Sequence, residues 1–337
     1  MKNKNLCLLS VCLFTLLSCA QGNKDVAFFI YNQDDTFMAS LDSKVFADAE
    51  KQGLSYEAYY ASLSQVTQNE QLAGVIEGGQ AKVLAVNMVD RLAASSIISK
   101  AEAKDIPVLF YNRAPLEEDL LKGKSSYYVG TDPTYEGEAQ GEMAASLFGD
   151  PASLASAYDK NGDGVIQLVI IKGEQGHQDT ELRSRYCIKK LEDLGYQAEI
   201  LTTAYANWTR SQAYAAMKDI YGKYGKQIEL VFSNNDDMAV GALNYLVDQK
   251  VFTPGAEPSS QPFPVIGVDA TEIGISYIKQ GLMYGTIKND AEGQASAISA
   301  FISYLVQGQA IDASFPYELT AGRIVSIKGQ KVTKKDL

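Results

Sequence analysis

Short apolar runs alternate with helix-length amphipathic stretches along most of this chain, and the apolar runs end in polar residues. Val26 to Tyr31 leads into NQDDTF, Lys82 to Val86 into NMVD, Val108 to Tyr111 into NRAP, and Tyr127 to Val129 into GTD. A second series follows: Leu168 to Ile171 leads into KGEQGHQD, Leu230 to Phe232 into SNNDD, Val265 to Val268 into DA, and Gly285 to Ile287 into KND. Between them lie helical patterns such as Arg91 to Lys104, Ser211 to Lys223 and Asp237 to Lys250. Nearly continuous apolar strands alternating with helices predict parallel sheets covered on both faces. Two series within 337 residues predict two doubly wound α/β lobes of about 150 residues each. Ligands of such folds sit beyond the carboxyl ends of the strands. Asp35, Asn87, Asn112, His177, Asp179, Asn235, Asp269 and Asn289 gather at those ends. Taken singly, each is better explained as a helix cap; together they outline a cleft. The segment Thr253 to Pro264, rich in Pro, Ser and Gly, reads as a surface loop.

The amino terminus departs from this rhythm. Lys2 and Lys4 precede an apolar run, Leu6 to Leu17, which is too short to span a bilayer and has the layout of a secretory signal covering residues 1–18. It ends in Leu16-Leu17-Ser18-Cys19, a pattern that resembles a lipobox, so Cys19 is expected to carry lipid ahead of a tether running to Lys24. Cys7 and Cys12 then leave with the signal and Cys187 remains alone, which excludes a disulfide within the mature chain. The formal net charge of −11 grows two units more negative with the loss of Lys2 and Lys4. An acidic chain without a basic stripe argues against nucleic acid. No other run of about 18 apolar residues occurs, so the lipid is the expected membrane contact of an exported chain.

Three constellations carry chemistry. Asp159-x-Asn161-x-Asp163-Gly164-Val165-x-Gln167 has the oxygen-ligand spacing of a calcium loop, with glycine at the sharp turn. Asp159, Asn161, Asp163 and Gln167 offer side-chain oxygens, and Val165 its carbonyl. Position 12 holds Ile170 where the motif wants Glu, and Glu229, which opens the strand LVF as Gln167 opens LVII, is the candidate for the missing carboxylate. His177 is the only histidine, which excludes a His-rich metal site, and no G-x-S-x-G elbow supports a hydrolase. Carboxylates are plentiful, so a glycosidase pair stays open at this level. Trp208, the only tryptophan, and Phe37 both stand in polar surroundings near strand ends. Rings beside Asp, Asn, Arg and His suit a pyranose, whose C–H faces pack on aromatics and whose hydroxyls need donors and acceptors.

From about Asp25 onward the words YNQDDTFM, VLAVNMVD, IPVLFYNRAP, YYVGTD, DKNGDGVIQLVIIKGEQGHQDTELR, ELVFSNNDDMAVGA, VIGVDA and GTIKND occur in order. With them the chain resembles the bacterial periplasmic galactose/glucose-binding proteins of sugar ABC transporters. The resemblance implies two lobes joined by crossings near Thr131, Lys288–Asp290 and Gly322. Residues 25–131 with 290–320 would form one lobe, and 132–289 with 321–337 the other. It implies sugar contacts from Asp35, Phe37, Asn112, His177, Asp179, Arg183, Trp208, Asn235, Asp269 and Asn289, with Phe37 and Trp208 covering the two sugar faces. It implies calcium held by Asp159, Asn161, Asp163, Val165, Gln167 and Glu229. The expected function is binding of D-glucose or D-galactose by a non-catalytic monomer and delivery to an ABC permease; the alternatives are a sensor that presents the sugar to a chemoreceptor or kinase, and an enzyme acting on sugars. The sequence departs from the family at the lipobox, at Gln178 in place of the usual Pro, and in the longer loop around Thr253 to Pro264.

Overall fold

The structure, a computed structural model, describes residues 23–154 and 156–337. The expected signal segment and Cys19 lie outside the described residues. Chain order in the first lobe is β1 (Lys24–Ile30), α1 (Thr36–Lys51), β2 (Tyr56–Tyr60), α2 (Gln65–Gly78), β3 (Ala81–Val86), α3 (Ala94–Glu102), β4 (Val108–Tyr111), α4 (Glu117–Lys122) and β5 (Ser126–Thr131). The chain then crosses, and α5 (Pro133–Phe148), β6 (Val165–Lys172), α6 (Gln178–Asp193), β7 (Gln197–Tyr205), α7 (Arg210–Tyr224), β8 (Leu230–Ser233), α8 (Asp236–Asp248), β9 (Val265–Asp269), α9 (Glu272–Lys279) and β10 (Gly285–Lys288) build the second lobe. A second crossing leads to α10 (Ala291–Val306), packed on α1, and to β11 (Ile324–Ile327); the chain ends near β12 (Gln330–Thr333).

The two sheets have the orders β11-β5-β4-β3-β1-β2 and β12-β10-β9-β8-β6-β7, six strands each. Pairing is parallel except for β12, which runs antiparallel to β10. This is the two-lobed doubly wound architecture the alternating pattern predicted. Each sheet buries both faces. In the first lobe Val26 and Phe28 pack beneath α1 and α10, while Ala27 and Phe29 pack beneath α2 and α3. Fully burying such a phenylalanine contributes about 1.5–3 kcal/mol, which is why strand alternation vanishes from the sequence here.

Several strands have no counterpart in the two apolar series. β2 (YEAYY) and β7 (QAEILTTAY) are edge strands, half-exposed along their length, so their sequences mix polar and aromatic residues. β11 and β12 are short and lie at the opposite edges. They also move the third crossing. Ile324 pairs with Tyr128 and Ile327 with Thr131 in the first lobe, whereas Gln330 pairs with Lys288 in the second, so the chain changes lobe at Lys328–Gly329 and not at Gly322. Residues 321–327 therefore belong to the first lobe. Lys24, expected to end a tether, already opens β1, and the helix expected from Arg91 begins as a turn of 3-10 helix before α3.

Among the described residues no helix is long and apolar enough to cross a membrane. One buried carboxyl gives the fold a pH signature. Asp42 on α1 accepts a hydrogen bond from the Tyr111 hydroxyl at 3.1 Å, and burial pushes its pKa up to about 7 from an ordinary 3.8. A folded-state pKa raised above the unfolded value contributes stability fully present below the unfolded pKa and lost as pH rises through the folded one. The melting temperature of the protein should therefore fall relative to that of Asp42→Asn between pH 5 and pH 8, as read by differential scanning fluorimetry of both proteins.

Candidate functional site

Every residue assigned to the sugar contact set lines one cavity between the lobes, together with Tyr31 and Arg113. The cavity between the walls is small, about 30 Å3, well below the ~300–1,000 Å3 of small-molecule sites, because the side chains of both lobes converge on it. Larger hollows of about 510 and 630 Å3 flank it, one sharing Arg113 and His177, the other Phe37, Asp269 and Asn289. The convergent polar groups stand in the smaller space, and that is the candidate site.

The first lobe supplies one wall from the turns after β1 and β4. Asp35 caps α1, its Oδ1 accepting from Met38 N at 2.9 Å, while the Tyr31 hydroxyl donates to its Oδ2. Both oxygens are held by donors, so the carboxylate presents fixed lone pairs to the cavity. Phe37 stands in the first turn of the same helix, buried against the lobe core. After β4 the chain turns sharply: Asn112 adopts a left-handed φ of 59°, and its Oδ1 accepts from Asn87 Nδ2 at 2.9 Å. That bond leaves the Asn112 amide nitrogen free to donate.

The second lobe supplies the opposite wall. His177 caps α6, its Nδ1 accepting from Asp179 N at 3.1 Å, which leaves the proton on Nε2. Burial, then the nearby positive charges of Arg113, Arg183 and Arg91, hold His177 well below its ordinary pKa, so it is a neutral donor. Arg183 is buried with each of its nitrogens engaged: Nε donates to Glu136 Oε2 at 2.7 Å, Nη1 to Asn234 O at 2.9 Å, and Nη2 to Asp179 Oδ2 at 3.0 Å. Burial works against its charge, but Glu136 and Asp179 outweigh that and keep it protonated. Burial raises the Asp179 and Asp269 carboxyls, and Arg183 draws both back. Asn235 caps α8 through Met238 N at 2.9 Å, and Asn289, at the second crossing, donates to Asp269 Oδ1 at 3.2 Å. Carboxylates outnumber guanidinium groups around the cavity, which suits a ligand rich in hydroxyl donors and repels an anion.

Phe37 and Trp208 meet this space from different lobes. Trp208 adopts a φ of 64° between β7 and α7, and its ring meets His177 edge-on at 5.1 Å. It lies against the bare backbone of Gly173, where an added Cβ would stand 2.2 Å from the indole.

Tyr31 and Arg113 escaped the sequence reading. Tyr31 directly follows β1, four residues before Asp35, and Arg113 follows Asn112, but nothing in their spacing sets them apart from other strand-end residues. Asp236 was missed too. It is buried beneath the Asp269 turn and accepts from Thr271 N at 2.9 Å and Thr286 Oγ1 at 2.7 Å.

At the far end of the second sheet the acidic loop folds as its glycines require, Gly162 and Gly164 having φ of 72° and 76°. Asp163 Oδ1 accepts from Val165 N at 2.8 Å, and Asn161 and Gln167 donate to its Oδ2 at 2.8 and 2.9 Å. Glu229 lies beside Gln167, immediately before the neighbouring strand β8, and accepts from Gln167 N at 3.2 Å and Lys160 N at 2.6 Å. No group of three His, Cys, Asp or Glu side chains among the described residues is set to hold an ion unaided. The oxygen set includes amides as well as carboxylates. Gln167 Oε1 is buried without a protein partner, and burial with the charges of Asp159 and Asp163 raises the Glu229 carboxyl. An orphaned oxygen among crowded carboxylates fits a hard cation.

A family profile described as a periplasmic binding protein domain matches residues 26–310. The D-galactose/methyl-galactoside binding periplasmic protein of Haemophilus influenzae is 33% identical over 322 residues, covering 95% of this chain and 92% of that protein. Among solved structures, a periplasmic solute-binding protein from Actinobacillus succinogenes with bound D-allose superposes with a TM-score of 0.76 at 20% identity, covering 93% of this chain and 99% of its own. One from Bacillus halodurans with bound myo-inositol gives 0.76 at 21% identity, covering 95% and 97%.

The Trp208–Gly173 packing is directly testable. Gly173→Ala should displace the indole, changing the intrinsic emission of this single-tryptophan protein and lowering stability by about 1–3 kcal/mol. Emission spectra and denaturant melts check it.

Proposed function

The chain belongs to the periplasmic binding protein family, and from that premise we propose that it captures D-glucose or D-galactose between its lobes and hands the sugar to an ABC permease. The observation that carries this reading is the meeting of Phe37 and Trp208, one from each lobe, on a cavity rimmed by Asp35, Asn112, His177, Asp179, Arg183, Asn235, Asp269 and Asn289. A pyranose offers two apolar faces and a ring of hydroxyls, each both donor and acceptor. Asp35, Asp179 and Asp269 accept from those hydroxyls; the free amide of Asn112 and the Nε2–H of neutral His177 donate to them.

The relatives named are binding proteins, and this site needs no reacting group: its histidine is held neutral by burial and its carboxylates serve as acceptors. Capture works by closure. Asp35, Phe37 and Asn112 move with the first lobe, and His177, Asp179, Arg183, Trp208, Asn235 and Asp269 with the second, so a sugar satisfies both walls only when they meet. The ligand thereby shifts the lobes toward the closed state by its differential contacts, and the permease can read that shape.

Calcium in the Asp159–Gln167 loop is part of the same reading. Asp159, Asn161, Asp163, the Val165 carbonyl, Gln167 and Glu229 would hold it, tying β6 to β8 at the sheet edge away from the cleft. Its role there is charge neutralisation and stabilisation of the lobe. Lipid on Cys19 would tether the whole to a membrane.

Titration calorimetry against a panel of monosaccharides tests the function. Glucose or galactose should bind and change the Trp208 emission, and Asp269→Ala should weaken binding at least ~10-fold, about 1.4 kcal/mol. Flat calorimetry together with unchanged emission across the panel would remove the sugar reading. For the metal, exhaustive chelation should lower the melting temperature and calcium should restore it; an unchanged melt means the loop does not hold calcium.

A further inference from the structure

Arg113 has an environment that a surface arginine does not. It is 5% exposed, although it sits in a turn. Its backbone N–H donates to Tyr111 O at 2.8 Å, a tight reversal that follows from the left-handed Asn112 and aims both side chains at the cleft. The guanidinium carbon sits over the Tyr31 ring, 3.8 Å from its centroid, and Tyr31 in turn donates to Asp35. Nη1 donates to Val89 O at 2.8 Å within the first lobe. Nη2 donates to Glu174 Oε2 at 2.8 Å, and Glu174 belongs to the second lobe. Nε is buried with no protein partner, and the side chain lines the cavity.

We infer that Arg113 is a further ligand-contacting residue that couples the sugar to lobe closure, its Nε–H donating to an oxygen of the bound sugar while its Nη2 holds Glu174 across the cleft. The inference rests on the sugar reading above and deepens it. A buried guanidinium donor without an acceptor is disfavoured, and a sugar oxygen in the cavity supplies one. The pair with Glu174 forms only when the lobes meet. Glu174 is 41% exposed, so this ion pair is screened and weak by itself. It does not hold the protein shut without ligand. With the sugar as an acceptor on the same fork, one planar group is satisfied by lobe, partner lobe and ligand together, and only in the closed state. The stacking on Tyr31 extends the effect to Asp35, because a guanidinium that stays in place keeps the Tyr31 hydroxyl aimed at that carboxylate.

Arginine is required here, and lysine is not a substitute. A lysine keeps the charge and can reach Glu174, but it has no Nε–H in a fixed fork and no flat face for Tyr31. The experiment compares the full mature protein with Arg113→Lys and Glu174→Gln by calorimetry with glucose and galactose, at low and high salt, alongside melts without sugar. Arg113→Lys should weaken binding about 10-fold or more, while the sugar-free melting temperature falls only by what the lost Val89 and Tyr31 contacts contribute. Glu174→Gln should weaken it by only about 2- to 5-fold, as for an exposed pair, and should abolish the part of the affinity that declines with salt. Wild-type affinity in Arg113→Lys, or an unaltered salt dependence in Glu174→Gln, overturns the assignment. Failure of the unaltered protein to bind any sugar of the panel overturns the underlying sugar reading instead, so the two failures are distinguishable.

Discussion

The cleft depends on a charge taken out of water. Arg183 is 3% exposed and its guanidinium is ringed by Glu136, Asp179 and the Asn234 carbonyl. A buried ion of this kind is tolerated only when its donors are matched. The matching fixes the second-lobe wall. Glu136 comes from α5, Arg183 and Asp179 from α6, and Asn234 from the end of β8, so one side chain ties a helix of the crossing to the strand ends that face the cavity. Losing one partner would leave the others buried and unpaired, at a cost of several kcal/mol.

The same economy repeats around the rim. Asp35, His177 and Asn235 each cap a helix with one side-chain atom and turn another toward the cavity. Capping immobilises the side chain before any ligand arrives, so less rotamer freedom is lost on binding. Beneath them Asp236 occupies space that Cβ atoms on Gly267 or Gly274 would enter at 2.2 Å, and it holds the turn carrying Asp269, whose φ is 117°. Backbone strain at Asn112, Trp208 and Asp269 is thus gathered where side chains must be aimed, and buried hydrogen bonds sustain it.

The two ends of the second lobe have separate duties. Polar residues at the carboxyl ends of β6 and β8 face the cleft, whereas Gln167, near the start of β6, and Glu229, just before β8, stand beside the acidic loop. The paired strands β6 and β8 run from one end to the other.

Much was legible in the residues alone. The fully buried strands announced the two sheets because parallel strands covered on both faces must be apolar throughout, and the polar words after them marked the rim, since strand ends and helix starts are local features. The calcium-type spacing likewise depends on residues a few positions apart. Edge strands β2, β7, β11 and β12 were silent: one exposed side removes the apolar run that betrays a strand. The third crossing at Lys328–Gly329 was equally hidden, because pairing with β5 or β10 is a choice between partners some two hundred and some forty residues away.

What the sequence determined by itself was the set of groups and their local attachment: which turn carries Asp35, which helix begins at His177, which loop is acidic. Tertiary structure alone decided which of them share a space. The meeting of Phe37 with Trp208, the burial of Arg183, and the reach of Arg113 to Glu174 each join segments distant along the chain. Such contacts are selected by how two sheets pack and how two lobes close, and no local pattern of residues encodes a distance across a cleft.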